Sequence, residues 1–206
     1  MKKPFKNLPI LFVHGIYDTG RAFRAMARVM QDHGWQTHAI NLEPNDGRVP
    51  LEQLAEQVAA FDKERLPQAH PFILIGFSMG GIVSRYYVQR LGGMERVSRL
   101  ITIASPHHGT LLAGLNKTPG GKQLRPGSAF LAGLNRDSRQ LQQVNHISIW
   151  TPFDLVVVPA ASSILPGSQS KRIASVCHPC LLRDYRCLHE VRRLCEETEQ
   201  RVAISR

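Results

Sequence analysis

The stretch from Phe72 to Val83 constrains this chain more than any other. It reads Phe-Ile-Leu-Ile-Gly-Phe-Ser-Met-Gly-Gly-Ile-Val. A nearly unbroken apolar run is what a parallel strand covered on both faces requires. The run ends in Gly76-Phe77-Ser78-Met79-Gly80, and a helical pattern follows to about Leu91, where Gly92-Gly93 stops it. A chain passing straight from a buried strand into a helix must reverse sharply. Gly76 and Gly80 carry no Cβ, so strand and helix can approach closely there. The residue at the apex is driven into a strained backbone and projects clear of the sheet. That residue is Ser78. Its hydroxyl lies at the start of the next helix, where free N–H groups and the dipole favour developing negative charge. The pentapeptide alone is common. The apolar strand before it and the amphipathic helix after it make the signal specific.

The rest of the chain repeats this alternation of apolar runs and helical patterns, which predicts βαβ units and a parallel sheet. Strands are expected at 9–13, 35–42, 72–77, 100–104, 147–150 and 173–177. Helices are expected at 21–33, at 51–66 before Pro67, after Ser78, and at 184–201. With 206 residues and 43% hydrophobic content, one domain accounts for the whole length. No apolar run approaches the roughly 18 residues of a membrane span. The start, Met1-Lys2-Lys3-Pro4, followed by Ile10 to Val13, imitates a signal peptide, but its apolar run is too short and no small-residue cleavage site follows. It is read as the first core strand, which predicts a cytoplasmic protein.

Net charge is +10, with arginine well in excess of lysine. The basic residues are dispersed and no nucleic-acid motif accompanies them, so no nucleic-acid partner is expected. A basic, soluble surface accounts for the charge, with peripheral contact to an anionic membrane surface as the further expectation. Oligomeric state is not readable from the pattern.

Residues 106–145 break the rhythm. The stretch is too long for an ordinary connection and is rich in Gly, Pro and Asn, with short helices expected at 128–134 and 138–144. An irregular insert over the carboxyl ends of the strands is where a lid-like flap would sit. Leu111, Leu112, Leu115, Phe130, Leu131 and Leu134 offer it an apolar lining.

A serine hydroxyl needs a base, an orienting acid and donors for the oxyanion formed on attack. Strand one ends in His14-Gly15-Ile16-Tyr17, and its loop should face the serine. The backbone N–H groups of Ile16 and Met79 are the natural oxyanion donors, and Gly15 permits close approach. His14, Gly15 and Tyr17 are assigned to the substrate side, with a turn-fixing or packed role favoured for His14 over a catalytic one. Asp154 directly follows strand five, whereas Asp137 lies in the flap and Asp184 starts the last helix. His178 follows strand six, whereas His189 is carried away inside the final helix. His107 and His108 are expected to line the site, but they precede Asp154 and do not fit the Ser, Asp, His order. No cofactor is called for.

The ordered set resembles the α/β-hydrolases, specifically the small bacterial lipase/esterase group. The matching residues are His14-Gly15, Gly76 to Gly81, Ser105-Pro106-His107-His108-Gly109-Thr110, Asp154 to Pro159, and His178-Pro179-Cys180-Leu181-Leu182. The resemblance implies a minimal α/β-hydrolase fold: about six mainly parallel strands in the order 2-1-3-4-5-6, flanked by helices on both faces. It implies Ser78 as nucleophile, Asp154 as orienter and His178 as base, acting on a small-molecule or lipid carboxylic ester with an apolar acyl chain. Thioester hydrolysis, acyl transfer, or a non-catalytic binding protein are the alternatives on the same scaffold. The chain departs from the group at Cys177, where a glycine often stands.

Cys177, Cys180, Cys187 and Cys195 cluster late in the chain. Structural zinc wants paired knuckles, and the second pair is absent, so no metal is expected. Cys187 and Cys195 fall on the inner face of the last helix, and all four are expected as reduced thiols.

Overall fold

The computed structural model describes residues 8–204; the basic start lies outside them. In chain order the elements are β1 (Ile10–Val13), α1 (Arg24–Asp32), β2 (Thr37–Ile40), α2 (Leu51–Arg65), β3 (Phe72–Phe77), α3 (Met79–Arg90), α4 (Gly93–Arg96), β4 (Val97–Ile103), α5 (Pro119–Gln123), α6 (Ala129–Arg136), β5 (Ile147–Trp150), β6 (Gln169–Arg172) and α7 (Tyr185–Ile204). The strands form one sheet in the order β2-β1-β3-β4-β5-β6, and every pairing is parallel.

Alternate residues of a strand face opposite sides, and here both sides are covered. Leu11, Val13, Leu74 and Leu100 pack with Leu54 and Val58 of α2 and Ile82 and Val83 of α3. Ile10, Phe12, Ile73, Ile75 and Ile101 pack with Met26 and Met30 of α1 and Val191 and Leu194 of α7. Each such side chain, fully buried, contributes about 1.5–3 kcal/mol. That is why the central strands read as unbroken apolar runs rather than as alternations.

Three expectations need correcting, for the sixth strand, the thiols and the insert. The sixth strand is Gln169–Arg172, not the apolar run at 173–177. It is a solvent-exposed edge strand, and its Lys171 and Arg172 suit an edge that must not pair with another chain. Only Ile173 of the apolar run reaches the ladder, its N–H donating to the Trp150 carbonyl at 2.8 Å. Val176, expected inside the strand, is 81% exposed. The second correction concerns the thiols. Cys177 and Cys180 are joined by a disulfide, because the turn after β6 brings their Cα atoms to 5.1 Å, within bridging range. Cys187 and Cys195 are buried free thiols on α7.

The insert at 106–145 divides in two. Its second half is packed onto α3: Leu131 and Leu134 are core residues rather than lining. Phe130 stacks on Tyr86, the Gln89 amide donates to the Leu134 carbonyl at 2.9 Å, and Arg90 pairs with Asp137. Leu111, Leu112 and Leu115, in the first half, are exposed.

Candidate active site

The register places the carboxyl ends of the central strands level with one another. Val13 stands opposite Gly76, and Gly76 opposite Thr102. The loops leaving β1, β3 and β4 therefore meet at one edge. A Cβ added to Gly80 would lie 2.2 Å from the Val13 carbonyl oxygen, and one on Gly76 would lie 2.5 Å from the Gly81 Cα. Those contacts force the missing side chains and let α3 start directly beneath the sheet edge. Ser78, between them, has φ 52° and ψ −124°. A non-glycine residue there carries strain of order 1–3 kcal/mol, held in place by its surroundings. The Ser78 N–H donates to the Ile103 carbonyl at 2.8 Å, and the Gly81 N–H donates to the Ser78 carbonyl at 3.1 Å.

The loop after β1 sits against this apex. A Cβ on Gly15 would lie 3.1 Å from the Ser78 Cβ. His14 is fully buried and both ring nitrogens are engaged. The Leu42 N–H donates to Nε2 at 2.8 Å, so Nδ1 carries the proton and donates to the Gly15 carbonyl, also at 2.8 Å. Burial lowers the His14 pKa, which keeps the ring neutral. A trans peptide is planar, with its C=O and N–H pointing in opposite directions. Fixing the Gly15 carbonyl therefore fixes the Ile16 N–H on the far side of the same peptide. His14 thus acts on that peptide, and its ring has no exposed surface. Tyr17 also has a positive φ, 60°, with its N–H bound to the Asn45 carbonyl at 2.7 Å, and its ring is exposed.

Asp154 and His178 come together from loops after β5 and β6. His178 Nδ1 donates to Asp154 Oδ2 at 2.7 Å. The other carboxylate oxygen accepts the N–H groups of Val156 and Val157 at 2.9 and 2.8 Å. Every part of the carboxylate is thus spent on orientation, and Nε2 of the imidazole is left as acceptor. The His178 ring lies 4.7 Å from the ring of Phe77, the residue before Ser78. Both Asp154 and His178 are buried, so their pairing is little screened. The competing His189 lines a hollow with Lys171 of β6 and Tyr185 of α7, and it is His178, not His189, that meets Asp154.

His107 and His108 part company. His108 is exposed, and its N–H donates to the Ser162 carbonyl at 3.2 Å. His107 is fully buried and belongs to a network that the sequence did not reveal. Arg85 Nη1 donates to His107 Nδ1 at 3.2 Å and to Asn135 Oδ1 at 3.0 Å. His107 Nε2 meets Thr102 Oγ1 at 3.0 Å, and the same hydroxyl meets His146 Nε2 at 3.0 Å. Burial and the neighbouring guanidinium push His107 well below its ordinary value, and His146 falls to about 3. The network ties α3, β4 and α6 together behind the serine. Two hydroxyls also escaped the sequence. Thr151 Oγ1 donates to the Ser175 carbonyl at 2.6 Å and joins the acid loop to the base loop. Thr110 Oγ1 donates to the Val156 carbonyl at 2.7 Å and ties the insert to the acid loop. The hints in the sequence were Thr151's position directly after β5 and Thr110's place at the end of the Ser105–Thr110 motif.

A family model described as palmitoyl protein thioesterase matches residues 9–153. The chain belongs to that family. The matched region includes the elbow and the loop after β1 and stops just short of Asp154. The lysosomal thioesterase PPT2 of Mus musculus is 30% identical over 107 residues, 49% of this chain and 34% of that protein. The Homo sapiens counterpart is 30% identical over 105 residues, with the same coverage. The matched stretch thus spans about a third of these curated relatives. Among solved structures, the mature Bacillus licheniformis lipase BlEst2 superposes with a TM-score of 0.76 at 18% identity, covering 94% of each chain. Aspergillus fumigatus lipase B gives 0.71 at 20% identity, covering 85% of this chain and 49% of that one. These likenesses establish the α/β-hydrolase fold, in agreement with the resemblance of the sequence to the small lipase/esterase group.

Proposed function

We propose that this chain is a serine hydrolase that cleaves acyl esters through an acyl-enzyme on Ser78. The observation that carries the reading is the 2.7 Å bond from His178 Nδ1 to Asp154 Oδ2 at the sheet edge where the Ser78 elbow stands. That bond fixes the imidazole tautomer, so Nε2 can take the Ser78 proton as the hydroxyl attacks the acyl carbonyl. The N–H groups of Ile16 and Met79 hold the oxyanion. His178 then protonates the leaving alkoxide, and a water molecule, activated by the same nitrogen, releases the acid.

The acyl group is apolar. Of the exposed large hydrophobic residues, Tyr17, Leu111, Leu112, Leu115, Phe153, Leu155, Val156 and Val176 all lie on loops leaving the carboxyl edge of the sheet. Lys117 and Lys122, exposed on the same insert, suit a substrate carried on an anionic lipid surface. Membership of a thioesterase family favours a second reading, in which the scissile bond is a thioester. The acyl half of the reaction is unchanged, but a thiolate, whose acid has a pKa near about 8.5, departs without a proton from His178.

The test compares matched oxygen and sulfur esters of octanoic and palmitic acid, with Ser78→Ala as control. Faster turnover of the longer acyl chain in both series, lost in the variant, is expected. A kcat/KM favouring sulfur well beyond its intrinsic reactivity assigns the thioester. No turnover of either series by the native chain would sink the proposal.

A further inference from the structure

His178 stands inside a covalent ring. Cys177 precedes it and Cys180 closes the ring two residues later. Within it, His178 is αR, with φ −51° and ψ −61°, and Pro179 fixes its own φ. The Cys180 carbonyl accepts N–H groups from Arg183 and Asp184 at 3.0 and 2.9 Å, which anchors the ring to the start of α7. The Asp154 bond, the Phe77 contact, the Thr151 bond to the Ser175 carbonyl and the buried Leu181 and Leu182 hold the same turn, and the ring is the covalent restraint among them. Cys177 and Cys180 are half-buried, whereas Cys187 and Cys195 are sealed in the core, their thiols raised beyond ordinary reactivity by burial. Cys180 also lines an open hollow of about 470 Å³ together with Arg21 and Arg183. Asp18 also lines the hollow, so Arg21 and Arg183 leave it with one net positive charge beside a half-buried sulfur, which favours the approach of a thiolate.

We propose that the Cys177–Cys180 disulfide positions the His178 base, and that its reduction by a dithiol entering this hollow lowers turnover. This rests on the reading of His178 as the base for Ser78. The reductant's thiolate attacks Cys180 Sγ, breaking the bond to Cys177 and forming a mixed disulfide, with Cys177 leaving as thiolate. The second thiol of the reductant then attacks its partner sulfur and releases Cys180. Two electrons and two protons pass to the protein, and the dithiol becomes a cyclic disulfide. The freed turn keeps the Asp154 partner but loses the constraint on the His178 backbone. A displacement of the base on the order of 1 Å costs up to about a hundredfold in rate.

The experiment compares oxidised protein, protein reduced with dithiothreitol and then desalted under inert gas, and Cys177→Ser/Cys180→Ser. It measures kcat and KM on an oxygen ester and fluorophosphonate labelling of Ser78. Unfolding midpoints are measured in parallel. Reduced protein and the double variant are expected to lose about tenfold or more in kcat with KM little changed. Reoxidation should restore the native kcat. Unchanged kcat in both overturns the positioning role, as does a loss that merely tracks unfolded protein. Failure of the oxidised protein to label at Ser78 overturns the underlying hydrolase reading as well.

Discussion

Replacing His14 by leucine perturbs the oxyanion loop without touching the base. The side chain is fully buried, and leucine fills much of the same space. Two hydrogen bonds disappear. The Leu42 N–H loses its acceptor 2.8 Å away and stays buried, at a cost of about 1–3 kcal/mol. The Gly15 carbonyl loses its donor at 2.8 Å, a net loss of about 0.5–1.5 kcal/mol. Stability should therefore fall by about 1.5–4.5 kcal/mol, summing those two effects. The second bond also holds the peptide that presents the Ile16 N–H. If that donor swings away, kcat falls toward the roughly hundredfold associated with losing one oxyanion donor. Because the His14 ring has no exposed surface, KM is expected to change little. Urea unfolding measures the first effect and steady-state hydrolysis below the unfolding transition measures the second. A variant that loses the stability but keeps full kcat would refute the argument that His14 aims the oxyanion donor.

Asp154→Asn should reduce kcat by about 10⁴-fold with little change in fold, because the amide stabilises the wrong imidazole tautomer; retention of more than a tenth of the activity in a steady-state ester assay would contradict the assigned role. Gly80→Ala should not accumulate as native protein, since its Cβ would lie 2.2 Å from the Val13 carbonyl oxygen, a backbone atom that cannot give way; a soluble variant with native circular dichroism and melting point would refute the close approach. The buried neutral histidines predict acid lability. The folded pKa of His146 is lowered from 6.5 to about 3, so below 6.5 the unfolded chain binds the extra proton and stability is lost as pH falls. Between about pH 7.5 and about pH 5 His146 alone accounts for about 2 kcal/mol, and His14 and His107, shifted in the same direction, add to it. Urea midpoints across that range check this, and a flat profile would contradict the buried neutral network.

The legible parts of the fold were those whose chemistry has one cheap solution. Phe72 to Phe77 could only be a doubly covered strand, and Gly76 and Gly80 could only be glycine where a Cβ meets backbone. The first strand, the long second helix and the final helix announced themselves through period, and Pro67 marked where the second helix stops. The edge strand did not. Gln169 to Arg172 is exposed, so no burial pattern marks it, while Ile173 to Cys177 is apolar yet mostly outside the ladder. His178 consequently reaches its place from a turn rather than from a strand end. The insert was legible as an interruption, but its division into a packed half and an exposed tip depends on contacts such as Tyr86 with Phe130. The Arg85, His107 and Asn135 network joins residues up to 50 positions apart, and no local pattern encodes such a meeting. The spacing of Cys177 and Cys180 fits a bridge, a metal knuckle or free thiols equally well, and it is the turn geometry that favours the bridge.

The central claim is that the acyl group passes through Ser78. Native protein is mixed with a palmitoyl nitrophenyl ester, quenched in acid within the first turnovers, and digested for peptide mass analysis. The account predicts a palmitoyl mass increment on the peptide containing Ser78, absent from Ser78→Ala and longer-lived in His178→Ala if any forms there. An increment on another residue, or product released with no covalent intermediate under conditions that trap one in a known serine hydrolase, would contradict it.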